Sequence, residues 1–333
     1  MRRKSVYLNS PILWLLLAAG SMFVSVQIAP LRSAPVSKSG TWLSGYGSSG
    51  PATAPAPRTF IQSGDNLQVE YRFQNFRKDD LQVVFSIKEA ELETYKGRYG
   101  YAQAELDGLA TWQKQELQQA YQYAVDHLQN QQQYDQAVEK VKQEYHRRVD
   151  ELFSTRGLRY QQENVLVADI PGIVHRNVKN FSPIAHQLET VFTAGNYGST
   201  DIVGSILSLV QTGLAYENIP LKQDGRITGG IYPPLVTLVE GRGDCDSKTA
   251  LLASILLNWN QSRLVGVGVP NHYLLGVMQN PGKGDVFVEY EGANYVLMEP
   301  AGPGWIPPGT ISDYTMDLLN SGVQVALEPL TVN

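Results

Sequence analysis

A single cysteine, Cys245, stands among 333 residues, so no disulfide forms within the chain and the fold rests on packing alone. Histidine is scarce as well, five residues scattered along the sequence. With one thiol, no His-x-x-x-His pair and no Glu-rich ligand spacing, the sequence offers no metal site. No cofactor is expected either. Gly225 to Gly230 lacks a following helical pattern and reads as a loop, not a phosphate cradle. Basic residues are outnumbered, 27 Lys and Arg against 32 Asp and Glu, and a formal charge of −5 leaves no electrostatic footprint for nucleic acid. What the chain has in quantity is apolar residues, 43% against 18% charged, enough to core one large domain or two modest ones.

The N-terminus opens Met1-Arg2-Arg3-Lys4 and then runs apolar from Ile12 to Ala29. A basic flank stays cytoplasmic, so the residues that follow are expected to be exported. The run is about eighteen residues long, near the lower limit for a spanning helix. It exceeds a usual signal-peptide core, and no small-x-small cleavage site stands out. Residues 1–30 are therefore read as a membrane anchor in preference to a cleaved signal, and both place the body on the extracytoplasmic, periplasmic side. Residues 31–58, with Pro51-Ala-Thr-Ala-Pro-Ala-Pro57, are too rich in Ser, Gly, Pro and Ala to bury a core and read as a spacer.

Alternation at Leu67, Val69, Tyr71, Phe73 and at Leu81, Val83, Phe85, Ile87 predicts two strands joined by a polar turn over Asn75 to Asp80. Residues 102–154 lack proline and carry helical spacing in two phases: Leu117, Tyr121, Ala124, Leu128, then Tyr134, Val138, Val141, Tyr145, Val149, Leu152. One continuous helix would run about 75 Å at 1.5 Å per residue. A hairpin breaking within Gln129 to Gln133 is the compact alternative. This stretch is expected to pack as a helical pair, with a stalk or a partner-binding coiled coil as the other reading. Residues 59–156 thus form one expected region.

Gly157 marks a stop, and residues 157–333 form the second region. Helical periodicity appears at 178–194, at 201–216 after Ser199-Thr200-Asp201, and after Cys245 at Leu251, Leu252, Ile255, Leu256 and Trp259. Strands are expected over Leu264 to Met278, Val286 to Tyr290 and Tyr295 to Met298, with turn signals at Asn280 to Asp285 and Glu291 to Asn294. Helices first and an antiparallel meander afterwards predict an α+β class.

The chemistry gathers around Cys245. It follows Gly241-Arg-Gly-Asp244 and opens a helix, whose N-terminal partial positive charge favours thiolate over thiol. His272 lies near the start of the next strand and Glu299 ends the last strand of the meander, so adjacent antiparallel strands can join them. A lone cysteine is most often a small buried hydrophobe. Cysteine, histidine and carboxylate in this order follow the logic of nucleophile, base and orienting group. Against activation, Asp244 and Asp246 flank the thiol and raise its pKa. Asp244 is also a cap candidate, and Arg242 and Lys248 could offset the charge.

Gly241-Arg-Gly-Asp-Cys-Asp246, the Leu-rich helix, Asn271-His272 and Tyr295-Val-Leu-Met-Glu-Pro300 together resemble the transglutaminase-like superfamily, including bacterial transglutaminase-like cysteine peptidases, over residues 160–315. The resemblance implies a papain-like core, a helix packed on an antiparallel sheet, preceded here by the hairpin and the long helical segment. It implies Cys245 as nucleophile, His272 as base and Glu299 where the family usually has Asp before Pro. Gln211 sits where relatives often carry a polar side chain ahead of the nucleophile, an oxyanion-hole donor beside the Cys245 amide, with Tyr216 as runner-up. The expected activity is amide hydrolysis or acyl transfer on a protein or peptide through a thioester. The other class is a silent binding or assembly module using residues 102–154 for a protein partner.

Overall fold

The computed structural model describes residues 27–28, 58–162, 165–302 and 304–331. The expected anchor at 1–30, apart from a Gln27–Ile28 strand pairing in parallel with Val165–Leu166, and the expected spacer up to residue 57 lie outside them. Among the described residues, no helix is long and apolar enough to cross a membrane.

Three antiparallel strands open the body: β1 (Arg58–Ser63), β2 (Asn66–Gln74) and β3 (Asp80–Lys88), in that spatial order. The expected hairpin is β2–β3, with Leu67 opposite Ile87, Val69 opposite Phe85, Tyr71 opposite Val83 and Phe73 opposite Leu81. All eight share one face because side chains alternate along a strand; seven of them are buried and Ile87 is half-buried against the same core. Asn75 closes the turn, its Oδ1 accepting from the amides of Arg77 and Asp79 at 2.9 Å each. Strand β1 begins at Arg58, which the sequence assigns to the spacer. All six of its side chains are exposed, so no buried face marks it in the pattern.

After α1 (Glu89–Lys96) the chain forms the helical hairpin, not one long rod: α2 (Gln103–Asp126) and α3 (Gln131–Thr155). The break falls at residues 127–130, overlapping the start of the Gln129 to Gln133 stretch. Leu128 takes φ +48°, and Asn130 caps α3 by accepting from the Gln133 amide at 3.0 Å while the Gln133 side chain accepts from the Asn130 amide at 3.0 Å. Helix α2 buries no residue, and α3 buries only Tyr145, Val149 and Phe153, four residues apart on one stripe. These three pack with Tyr101, Leu158 and Leu166 in a satellite core at the hairpin's base. Two strands absent from the sequence expectation, β4 (Leu158–Gln162) and β5 (Val165–Ala168), lead away from it.

The remaining helices are α4 (Ile170–Asn177), α5 (Ser182–Ala194, entered through a 3-10 turn at Val178–Phe181), α6 (Ser199–Gly213), α7 (Pro234–Glu240) and α8 (Cys245–Leu256). Then come β6 (Leu264–Val269), β7 (His272–Met278), β8 (Phe287–Tyr290), β9 (Ala293–Met298), α9 (Asp313–Asn320) and β10 (Ala326–Pro329). The five strands form an antiparallel sheet in the order β8-β9-β7-β6-β10, and the architecture is α+β. The expected single strand over 264–278 is two. Pro270 cannot donate to a ladder and Asn271 takes φ +62°, so the chain reverses there and pairs Val269 with His272.

All twelve residues of α8 are buried, with α4, α5, α6, α7 and β7 packed around it. The same core takes in Leu67 to Phe85 of the first sheet and Tyr95 and Tyr99 beside it. The boundary expected at 156/157 therefore does not divide the core: β2 lies on α6, and the Tyr71 hydroxyl donates to the Leu238 carbonyl of α7.

Close approach decides one glycine. A Cβ on Gly266 of β6 would sit 1.9 Å from the Tyr273 hydroxyl, which crosses it to donate to Glu328 Oε2 of β10 at 2.7 Å. Gly266→Ala is expected to lose about 1–3 kcal/mol, the range for overpacking a tight interior. Urea unfolding at neutral pH measures this, and an unchanged midpoint would refute the packing assignment.

Candidate active site

The glycine-bracketed turn has a physical account. Gly241 ends α7 at φ +71°, a left-handed position that glycine adopts without steric cost. Arg242–Gly243 then pair in parallel with Ala215–Tyr216, the Ala215 amide donating to Gly241 O at 2.9 Å and the Glu217 amide to Gly243 O at 3.1 Å. Asp244 caps α8, its Oδ1 accepting from the Ser247 amide at 3.0 Å and the Ser247 hydroxyl at 2.7 Å. Cys245 is thereby the first residue of a buried helix, and its side chain is wholly enclosed. Its Sγ donates to Asp246 Oδ1 at 3.2 Å. The helix terminus favours thiolate and this carboxylate favours thiol.

His272 and Glu299 meet. The ladder pairs Leu275 with Met298; continued by one residue, it sets Glu299 opposite Leu274 and diagonal to His272 on the same face, within reach of long side chains. The imidazole Nε2 hydrogen-bonds Glu299 Oε1, and Glu299 is wholly buried. Its Oε2 accepts from the Thr315 hydroxyl at 2.9 Å, the Ser312 hydroxyl at 3.3 Å and the Ser312 amide at 3.5 Å. Ser312 caps α9, so the carboxylate also faces a helix N-terminus. Burial pushes this carboxyl up, but the His272 charge and hydrogen bond, then Thr315 and Ser312, outweigh it and hold it below the ordinary carboxylate range. Sequence reasoning missed Ser312 and Thr315. The signal was a helix-cap serine ahead of Asp313.

Helix α8, which Cys245 opens, packs on β7, the strand that His272 opens. Thr249, one turn beyond Cys245, donates its hydroxyl to the Tyr273 carbonyl at 3.3 Å, which sets the first turn of α8 beside the first residues of β7. With Nε2 committed to Glu299, Nδ1 is the ring nitrogen that would serve a thiol.

Gln211 takes a different place from the expected one. It is buried on α6, where its Nε2 donates to Glu299 O at 2.8 Å and Ile306 O at 2.9 Å while its Oε1 accepts from the Ile306 amide at 3.1 Å. Both amide hydrogens are used on backbone, so Gln211 is a positioning residue for the loop after β9 and not an oxyanion donor. Tyr216, the runner-up, sits in the short ladder beside Gly243. Arg242 serves Glu217 at 2.7 Å and Glu240 at 3.6 Å. Lys248 is wholly buried, its Nζ donating to Leu214 O at 2.8 Å and Ala301 O at 2.7 Å. Burial pulls its pKa down to about 7, against the opposing pull of Asp244.

Among the described residues there is no group of three or more His, Cys, Asp or Glu that could hold a metal ion. Comparison with protein-family models, with curated proteins and with solved structures found no match to the chain.

Two expectations follow from this geometry. A carboxyl whose folded pKa lies below its unfolded value of 4.5 contributes stability that is fully present above that value and is lost as pH falls through the folded pKa. The unfolding free energy of the wild type minus that of Glu299→Gln should therefore shrink as pH is lowered below about 5; a constant difference would refute the charged pair. Gln211→Leu strands three buried backbone groups and should cost about 3 kcal/mol in urea unfolding. A loss under about 1 kcal/mol would show the loop held by other means.

Proposed function

We propose that the chain is an extracytoplasmic cysteine-dependent amide hydrolase or acyltransferase with a transglutaminase-like, papain-type catalytic half. The observation that carries this reading is the buried His272–Glu299 pair, whose carboxylate is held on its far oxygen by Ser312 and Thr315. Exposed charge needs no such arrangement; an imidazole that must keep one tautomer and accept a proton does. The second support is a cysteine at the first position of a buried helix packed on the strand that His272 opens.

In the proposed reaction Nδ1 of His272 takes the Cys245 proton, and the thiolate sulfur attacks an amide carbonyl of a protein or peptide. A tetrahedral oxyanion forms, stabilised by the Cys245 backbone amide. The C–N bond breaks as the imidazolium returns the proton to the leaving amine, leaving a thioester. Water, or a second amine, then attacks that thioester and frees the thiol. Glu299 stays ionised throughout and stabilises the imidazolium. Export and attachment to the membrane through residues 1–30 belong to this proposal.

One observation favours a second reading, a module that keeps the fold without turnover and uses the hairpin α2–α3 for a protein partner. The Cys245 thiol is enclosed and donates to Asp246, which stabilises the protonated form.

Thiol reactivity separates the two. The alkylation rate of Cys245 against pH should show an apparent pKa well below the unperturbed value of about 8.5 and lose that depression in His272→Ala. A thiol-directed acyl probe should label the wild-type protein and leave Cys245→Ala unlabelled. Equal labelling of both proteins, or titration at the unperturbed value, would favour the silent module.

A further inference from the structure

Lys248 is a buried titratable group that the proposed reaction does not use. It lies one turn into the helix that Cys245 opens, its backbone amide donating to Asp244 O at 2.9 Å. Its Nζ bridges two carbonyls on two different segments, Leu214 O at 2.8 Å and Ala301 O at 2.7 Å. Both segments lead to the candidate site. Leu214 runs into Ala215–Tyr216, the partner strand of Arg242–Gly243, and so bears on the turn that sets Cys245. Ala301 stands two residues after Glu299, whose own carbonyl is held by Gln211. These carbonyls belong to chain just beyond a helix end and just beyond a strand end, where no ladder supplies a donor. The lysine amine carries the two N–H groups that these two carbonyls need. An apolar side chain of similar volume would avoid the cost of burying an ammonium, so packing alone does not account for lysine here.

We propose that Lys248 is a positioning residue, tying the Glu299–Ala301 segment and the Leu214–Tyr216 segment to the helix that carries Cys245. It rests on the triad reading above and adds what keeps carboxylate, imidazole and sulfur in register. Without the Nζ bridge, the loop after β9 keeps its Gln211 bonds but loses its tie to α8, and the carboxylate shifts relative to the imidazole.

The test uses the whole purified protein with Lys248→Met, close in length and without a donor, and Lys248→Gln, which retains two N–H donors. One reading is the low-field proton resonance of the imidazole N–H that faces Glu299. The other is the rate of Cys245 alkylation by iodoacetamide at pH 7. In folded Lys248→Met the resonance should move or broaden and alkylation should slow roughly five- to tenfold, the size of coupling expected within one bonded network. Lys248→Gln should fall between it and the wild type. A folded Lys248→Met that melts lower but keeps both readings would overturn the proposal and leave Lys248 a packing residue. Should Lys248→Met not fold, Lys248→Gln decides: a shifted resonance with slowed alkylation supports positioning, and both unchanged overturn it. His272→Ala separates the two claims. Unaltered alkylation in that variant defeats the triad reading, while the resonance of Lys248→Met against the wild type still decides the positioning role.

Discussion

A helix buried on every side imposes the central constraint on this molecule. Helix α8 has no solvent face, so each polar side chain it carries must find its partner inside the protein. Thr249 finds the Tyr273 carbonyl, Ser247 finds Asp244, and Lys248 finds Leu214 and Ala301. Those partners lie in the segments around the candidate site. Satisfying the helix and assembling the site are thus one problem: leaving any of these groups unpaired costs the full desolvation of a buried polar atom.

The carboxylate obeys the same rule from the sheet side. Glu299 follows the last paired residue of β9 and sits diagonal to His272, a separation that a long side chain closes more readily than a short one. Its two oxygens divide between the imidazole and the cap of α9. Burial by itself would favour its neutral form; the bonds from His272, Thr315 and Ser312 reverse that preference, and its depressed pKa expresses that bonding. The loop that carries it away from β9 is stitched to α6 by Gln211, a residue whose value lies in backbone satisfaction and not in contact with a substrate.

Parts governed by local chemistry were legible in the sequence. The alternation of Leu67 to Phe73 and Leu81 to Ile87 named both strands and their buried face, and the helical phases named the two hairpin helices. Asp244 was visible as a cap candidate. Less legible were features without a periodic apolar signal. Strand β1 buries nothing, β10 is a four-residue edge, and the reversal at Pro270–Asn271 interrupts a run that reads as continuous strand. Nor does composition at residue 156 show that one core draws on residues 67–99 and 168–330.

From the sequence alone came the residue types and their order: a cysteine opening a helix, then a histidine, then a glutamate before a proline, with acidic neighbours beside the thiol. These are local facts, because caps, turns and periodicity are set by nearest neighbours along the chain. Only the tertiary structure decided that Glu299 is wholly buried against His272, that Ser312 and Thr315 hold its far side, that Gln211 binds backbone, and that Lys248 joins segments 34 and 53 residues away. Burial is a property of the assembled core, and it determines whether each of these polar groups is a solvated surface residue or a part that must be bonded.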